Sequence, residues 1–249
     1  MVSSSKDKNG GPKIPGISIL MYHQVGLFPR PKLHRASFCH VKRFRSQMAY
    51  LKMAGYTVIS LEEACLSLFE GRELATRSVV LTFDDGCDNF RQFALPILRE
   101  YGYPSTMFLV ANLLGGKTAW MTDMEFQSPL MTGDAIREIE AMGDVVFGSH
   151  TLNHVKLSQC EPSTARAEIF ESKDRLENLL GKEVADFCYP YGSYHAAVRD
   201  WVEAAGYRSG LTCIRGLANR APNRFEIPRK AISYGDNLLG YAWKLMKPD

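Results

Sequence analysis

The sequence predicts an α/β fold, a distorted (β/α) barrel of seven to eight parallel strands, and three observations point to it. Short apolar segments alternate with longer amphipathic segments, which is typical of parallel strands joined by crossover helices. The length of 249 residues matches the roughly 250 residues of a single barrel. No glycine-rich phosphate-binding fingerprint follows the first predicted strand, which disfavours the competing open, doubly wound sheet.

Eight strands are predicted from short apolar segments bounded by turn residues. They are residues 17–22, 57–60, 78–83, 105–110, 144–148, 185–189, 207–212 and 230–233. Segments with helical apolar spacing separate most of them, and several of these end before a glycine. The predicted helices are residues 37–55, 61–70, 89–101, 132–142, 162–180 and 194–205. Ser60 and Glu63 form a capping-box pattern at the start of the second helix.

The chain is expected to hold one domain behind a short tail. Residues 1–16 are rich in glycine and proline, which favours a flexible tail. Residues 17–249 are expected to form a single catalytic barrel domain. The sequence does not indicate an oligomeric state.

Composition excludes several classes of protein. Thirty basic and 27 acidic residues give a net charge of +3, which disfavours nucleic acid or a membrane surface as a partner. No apolar run approaches the roughly 18 residues that span a bilayer. No export signal is seen, so a cytoplasmic location is expected, with an extracytoplasmic one as the alternative if a signal was removed. The six cysteines contain no C-x-x-C pair and are expected to be free, buried thiols.

Polar residues collect where predicted strands end. The four groups are residues 22–23, 82–86, 149–154 and 189–192. Because the carboxyl ends of parallel barrel strands meet at one rim, these groups are expected to converge there. The sequence therefore places a candidate active site at this rim.

Two adjacent carboxylates, Asp84 and Asp85, follow the strand at residues 78–83. Neighbouring side chains on an extended chain point to opposite sides, so one carboxylate is expected to bind a metal while the other faces the substrate. Gly86 permits a tight turn beside them. A solvated Asp-Gly turn is the alternative.

Two histidines, His150 and His154, stand four residues apart. This spacing places both imidazoles on one face of a helical turn, an arrangement that chelates Zn²⁺. With one aspartate they would form a three-ligand site with open positions for water. Zn²⁺ is the expected ion, and Co²⁺, Ni²⁺ or another divalent ion is the alternative.

Three segments resemble the first three motifs of the polysaccharide deacetylases, the NodB-homology domains of carbohydrate esterase family 4. They are TFDDG at residues 82–86, SHTLNH at residues 149–154 and FCYPYG at residues 187–192. The resemblance covers residues 17–233. It implies a distorted (β/α) barrel, a divalent metal that is usually zinc, and removal of N-acetyl groups from N-acetylhexosamine units.

The resemblance also implies roles for individual residues. Asp85, His150 and His154 would be the metal ligands, and Asp84 would be the general base that takes a proton from water. The backbone N–H of Tyr191 would stabilise the tetrahedral oxyanion.

Two departures from the family pattern matter. Many members place an arginine early in the third motif to orient the base, and here Cys188 stands in that neighbourhood. Arg229 is a candidate replacement, with a surface salt bridge as the alternative.

Many members also supply the general acid from a late Leu-x-His motif, which this chain lacks. We therefore expect His23, which resembles the Tyr-His of the exopolysaccharide poly-N-acetylglucosamine deacetylases, to be the acid; packing under a loop is its alternative.

Trp120 lies in the long predicted loop at residues 111–131 and is a candidate platform for a sugar ring, although such a tryptophan more often anchors a loop.

The function predicted first is metal-dependent deacetylation of a poly- or oligosaccharide. One alternative is a hydrolase of the same superfamily that acts on a non-sugar, cyclic amide. The other is a non-catalytic saccharide-binding barrel.

Overall fold

Ten strands and seven α-helices form within residues 16–75, 77–121 and 127–247, which are the residues that the computed structural model describes. The strands are β1 (Ser18–Tyr22), β2 (Gln24–Gly26), β3 (Phe38–His40), β4 (Thr57–Val58), β5 (Ser78–Phe83), β6 (Ser105–Leu109), β7 (Val145–Ser149), β8 (Asp186–Cys188), β9 (Ser209–Arg215) and β10 (Ile227–Ala231). The helices are α1 (Val41–Met53), α2 (Leu61–Glu70), α3 (Leu95–Tyr101), α4 (Gly133–Glu140), α5 (Pro162–Leu180), α6 (Ala196–Ala204) and α7 (Leu238–Met246). The predicted tail at residues 1–16 lies outside the described residues except for Gly16. None of the helices in the described ranges has the length and apolar character needed to cross a bilayer.

Seven parallel strands close into a barrel. Strand β1 pairs on one side with β10 and on the other with β5, and the remaining strands follow in the order β10-β9-β8-β7-β6-β5. Strand β4 is an addition that pairs with the first residues of β5, whose last residues pair with β6. This closed, parallel sheet confirms the predicted distorted (β/α) barrel.

The apolar residues of the strands divide between two clusters, as the period of two in a strand requires. Leu20 and Tyr22 join a cluster that also contains helix residues such as Phe44, so this cluster lies between the barrel and its helices. Ile19 joins a second cluster with Phe108 from a different strand, inside the barrel. Burial on both faces explains why consecutive residues of these strands are apolar, as Ile19 and Leu20 are in β1.

The helix boundaries agree best where the sequence carries end signals. Helices α2 and α5 occupy the predicted residues, and α2 begins with the predicted capping box between Ser60 and Glu63. The predicted helix at residues 37–55 is wrong at its start, because Phe38–His40 pairs as a strand with Gln24–Gly26. Sequence analysis did not predict α7, which Asn237 caps.

All six cysteines are free, as expected, but they are not all buried. Cys39, Cys87 and Cys188 are buried, whereas Cys65 and Cys160 are half-buried. Cys213 is exposed, because β9 extends to Arg215 and its last three residues are exposed. The prediction of six buried thiols is therefore wrong.

Candidate active site

A pocket of about 190 Å³ opens at the rim where the strands end. Its lining comes from Met21, His23, His34, Ser37, Asp84, Asp85, Trp120, Met121, His150, His154, Tyr191 and Cys213. All four polar groups that the sequence placed at strand ends contribute to this lining. The predicted convergence at one rim is thus present in the fold.

Asp85, His150 and His154 form a buried cluster of metal-ligand type. Oδ1 of Asp85 lies 3.3 Å from Nε2 of His154 and 3.7 Å from Nε2 of His150. One donor atom from each residue lies within 4.8 Å of the others. Among the described residues, Oδ1 of Asp85 has no hydrogen-bond partner. A buried carboxylate oxygen that faces two imidazole nitrogens and lacks a proton donor fits a divalent cation.

The two histidines come together without a helix, so the predicted helical turn at residues 150–154 is wrong. Thr151 and His154 adopt left-handed backbone conformations, with φ of 68° and 59°. Glu168 of α5 holds this bend by accepting hydrogen bonds from the backbone N–H groups of Leu152 and Asn153, each at 2.9 Å. Left-handed conformations are costly for residues other than glycine and cluster at functional sites.

Asp85 also has a left-handed backbone, with φ of 81°, and Gly86 follows with φ of 78°. The chain is therefore not extended at the aspartate pair, which corrects the premise of the sequence argument. The two carboxylates line one pocket yet contact different partners, Asp85 the histidines and Asp84 the side chain of Arg229.

The two histidine rings are oriented in different ways. Nδ1 of His150 lies 2.7 Å from the carbonyl oxygen of Cys188, which directs Nε2 towards Asp85. Burial lowers the pKa of His150 to about 4, so its imidazole is neutral and able to coordinate a metal. Nδ1 of His154 has no hydrogen-bond partner in the described part of the chain. The ring of Trp120 instead stacks on the His154 ring, with centroids 3.9 Å apart.

Arg229 uses all five of its N–H donors inside the barrel. Nε donates to the carbonyl oxygen of Thr212, and Nη1 donates to Oγ1 of Thr82 and Oδ1 of Asp84. Nη2 donates to Oδ2 of Asp84 and to Sγ of Cys188. Both side chains are buried, so the alternative of a surface salt bridge is wrong. The guanidinium of Arg229 contacts Cys188. It therefore lies beside the position in the third motif at which many family members have their arginine.

The ionisation of Asp84 follows from this contact. Burial alone would raise its pKa, but the guanidinium of Arg229 outweighs that effect and holds the pKa well below its usual range. His150 and His23 lower it further. Asp84 is therefore a carboxylate throughout the neutral range.

His23 and Tyr191 flank this centre. His23 is half-buried and lines the pocket, and its Nδ1 has no hydrogen-bond partner among the residues described. Tyr191 has a left-handed backbone, with φ of 58°, and its side chain is half-exposed. Gly192 beside it also has a positive φ, and a Cβ there would lie 2.8 Å from Cβ of Cys213. The turn that carries Tyr191 therefore rests directly on β9.

Among the residues of the site that sequence analysis missed are His34, Ser37 and Glu168. His34 and Ser37 line the pocket, because the chain after β2 folds back over the rim. Glu168 was missed although a signal existed. It lies on the core-facing side of α5, where the other buried residues are Ala165, Ile169, Ser172 and Leu176. A charged residue at such a position needs partners.

A model of the family described as polysaccharide deacetylase matches residues 71–210 of the chain. This range is more than half of the chain, and it contains the aspartate, histidine and Tyr191 segments. It leaves out His23 and Arg229.

Individual proteins show the same likeness. YxkH of Bacillus subtilis (strain 168), whose name assigns it provisionally to the polysaccharide deacetylases, is 27% identical over 219 residues, which cover 88% of this chain and 72% of the relative. The poly-β-1,6-N-acetyl-D-glucosamine N-deacetylase of Staphylococcus aureus (strain MSSA476) is 25% identical over 199 residues, or 77% of this chain and 66% of the relative. The deacetylase PplD of Streptococcus pyogenes, solved in complex with acetate, superposes with a TM-score of 0.81 at 26% identity and covers 94% of this chain and 100% of that one.

Proposed function

We propose, because this chain belongs to the polysaccharide deacetylase family, that it removes N-acetyl groups from N-acetylhexosamine units of a poly- or oligosaccharide with the help of a divalent metal. The family consists of hydrolases that act on carbon–nitrogen bonds. The observation that carries the proposal is the pairing of two carboxylates in one pocket. Asp84 is fixed by a buried arginine, and Asp85 faces two buried histidines.

Asp85, His150 and His154 are the residues that would hold the metal. A divalent ion bound there would polarise the amide carbonyl and lower the pKa of a water molecule. We favour zinc because two imidazoles and one carboxylate are a typical catalytic zinc set. Cobalt or nickel would suit the same donors.

Asp84 would act as the general base. Its low pKa keeps it ionised. Oδ1 can accept a further hydrogen bond beside the one from Arg229, whereas Oδ2 also lies 3.6 Å from the thiol of Cys188. As the oxygen of water bonds to the acetyl carbon, Asp84 would take one proton from that water. The backbone N–H of Tyr191 would donate to the carbonyl oxygen, on which negative charge develops.

His23 would complete the reaction as the general acid. The carbon–nitrogen bond breaks towards nitrogen, and an amine leaves well only if it is protonated at that moment. His23 directly follows β1, which pairs with β5, and it lines the pocket close to both aspartates. The products are acetate and a free amino sugar.

The pocket supports a saccharide substrate that is held one unit at a time. Its volume of about 190 Å³ is below the roughly 300–1,000 Å³ of pockets that enclose drug-sized ligands. A single N-acetylated sugar would enter it while the neighbouring units lie outside. The staphylococcal relative named above acts, by its name, on poly-β-1,6-N-acetyl-D-glucosamine, and this polymer is the first to test.

The experiment is to measure acetate release from β-1,6- and β-1,4-linked N-acetylglucosamine oligomers and to assay cyclic amides in parallel. Wild-type protein loaded with zinc should release acetate, and Asp84→Asn should abolish release while it retains the metal. Asp134→Asn, an exposed change on α4, is the matched control and should behave as wild type. Turnover of cyclic amides without acetate release from any saccharide would overturn the proposal.

A further inference from the structure

We propose that Trp120 is a positioning residue for His154, and that it acts through an aromatic clamp on this histidine. The clamp is defined as the rings of Trp120 and Tyr191, both of which contact the His154 imidazole. The inference rests on the proposed function, since it takes His154 to be a metal ligand. It assigns Trp120 a role in holding the metal site in shape.

The clamp has a defined geometry. The ring of Trp120 stacks on the imidazole with centroids 3.9 Å apart and planes inclined by 16°. The ring of Tyr191 meets the same imidazole edge-on, with centroids 4.7 Å apart and planes inclined by 70°. The side chain of His154 is buried. Two different parts of the chain thus restrict one ring.

The need for a clamp follows from a missing hydrogen bond. A metal-ligating histidine almost always donates its second ring nitrogen to a carboxylate, a carbonyl or water, and this partner fixes the orientation of the ring. His150 follows the rule through the carbonyl of Cys188. Nδ1 of His154 is buried without a partner among the described residues. Rotation of an imidazole about χ2 is otherwise broadly tolerated, so the rings beside it must set its angle.

Trp120 is itself anchored, which a positioning residue requires. The backbone N–H of Met121 donates to the carbonyl of Thr118 at 3.0 Å, and Thr118 and Ser128 exchange two further hydrogen bonds of 3.0 Å each. The hydroxyl of Ser128 donates to Oε1 of Gln24, a buried residue at the start of β2. The turn that carries Trp120 is thereby tied to the segment that carries His23.

The clamp and a sugar platform predict different consequences. If Trp120 serves only as a platform for a sugar ring, its loss raises KM and leaves metal affinity unchanged. If it positions His154, its loss weakens metal binding in the absence of any substrate. We expect weaker metal binding, because the imidazole of His154 already covers one face of the indole and leaves that face closed to a sugar ring.

The test measures zinc affinity of the metal-free protein by competition with a chromophoric chelator. Trp120→Leu should weaken zinc binding about tenfold, the lower end of the effect of losing a group that orients a ligating histidine. Trp120→Phe retains a flat ring and should stay within about threefold of wild type. Trp243→Leu is the matched control, since this exposed residue of α7 contacts Arg215 and Lys247 and does not line the pocket.

Two further measurements keep the test decisive. The visible spectrum of the cobalt-substituted protein should change in Trp120→Leu and not in Trp243→Leu, because it reports ligand geometry. If Trp120→Leu does not fold, Tyr191→Leu removes the other ring and keeps the backbone N–H, and it should weaken zinc binding as well. Zinc affinity equal to wild type in the folded clamp variants would overturn the proposal. Failure of the wild type to bind any divalent ion would overturn the metal-dependent function itself, and the clamp with it.

Discussion

Arg229 and Asp84 form a bidentate ion pair inside the barrel, with both N–O distances at 2.8 Å, although the two residues are 145 positions apart in the sequence. Strand β10 supplies the arginine, and the aspartate follows β5, so the pair spans the barrel across β1. A planar guanidinium fixes both position and rotation of a carboxylate, which a lysine does not. The pair therefore sets the direction in which Asp84 presents its oxygens to the pocket.

Removal of Arg229 is predicted to affect stability and turnover together. Arg229→Met leaves a buried carboxylate without its partner, which typically costs about 3–5 kcal/mol of unfolding free energy. Turnover should also fall, since Asp84 loses its orientation. Chemical denaturation and acetate-release kinetics measure the two effects.

The double variant Arg229→Met/Asp84→Asn separates these effects. It should regain much of the lost stability, because no buried charge stays unpaired, and it should still lack activity. Recovery of activity in the double variant would remove Asp84 as the base.

Substitution of His23 is predicted to slow the chemical step and to spare the metal. His23→Gln removes the proposed proton donor, and loss of a general acid typically costs about 10²–10⁴-fold in rate. Zinc affinity should stay within about twofold of wild type, because His23 is not in the ligand cluster. A substrate whose amine is a good leaving group needs less help from an acid and should recover much of the rate. The control is His195→Gln, which changes an exposed histidine just before α6 and should match wild type. A normal rate in His23→Gln would contradict the prediction and would make His34 the next candidate for the acid.

Metal binding is predicted to stabilise the fold. Zinc at about 1,000 times its dissociation constant adds about 4 kcal/mol to the free energy of unfolding, which corresponds to a rise of roughly 8–16 °C in Tm for a chain of this size. Asp85→Asn should lose this rise, because it removes one of three ligands. Thermal unfolding with and without zinc measures the effect, and an equal rise in Asp85→Asn would place the metal elsewhere.

The sequence predicted the barrel and the site segments because both depend on local signals. Strand β5 is apolar on both faces from Val79 to Leu81, and polar residues mark its end. Helix α2 carries its own capping box. Strands β2 and β3, with three residues each, could not be predicted, because a pairing of that length is set by the surrounding contacts and not by a pattern.

The sequence left the role of Arg229 open and mispredicted the backbone at His154 for a related reason. Arg229 could equally have paired on the surface, and only the path of β10 through the barrel decides the matter. The left-handed conformations at Thr151 and His154 lie at residues that normally avoid them, so the sequence favoured a helical turn there. Strained residues at a functional site are where local rules are expected to fail.

Glu168 is predicted to hold the histidine loop in place. Its carboxylate accepts from the N–H groups of Leu152 and Asn153 and from the amide of Asn153, at 2.9, 2.9 and 2.6 Å. Glu168→Ala leaves these donors without their acceptor, at about 1–3 kcal/mol for each one that stays buried. Zinc affinity should fall as well, while Glu171→Ala, an exposed change on the same helix, should leave both quantities unchanged. Hydrogen exchange at Leu152 and Asn153 would report the loop directly, and unchanged protection there would contradict this role.

Asp186 is predicted to reduce stability at neutral pH. It lies at the opposite end of the barrel, at the start of β8, and burial raises its pKa despite the hydrogen bond from Ser209 at 2.7 Å. An acid whose pKa is higher in the folded state loses stability as pH rises from the unfolded value, about 3.9 for aspartate, through the folded value. Asp186→Asn keeps the oxygen that accepts from Ser209 and carries no charge.

The stability difference between Asp186→Asn and wild type should therefore be close to zero below about pH 4 and should grow in favour of the variant as pH rises, until it levels off above the folded pKa. Urea denaturation at a series of pH values measures this curve, with Asp134→Asn as a control that should follow wild type throughout. A variant that is less stable than wild type at neutral pH would show that the ionised carboxylate, with its partners Ser209 and Arg208, stabilises the barrel.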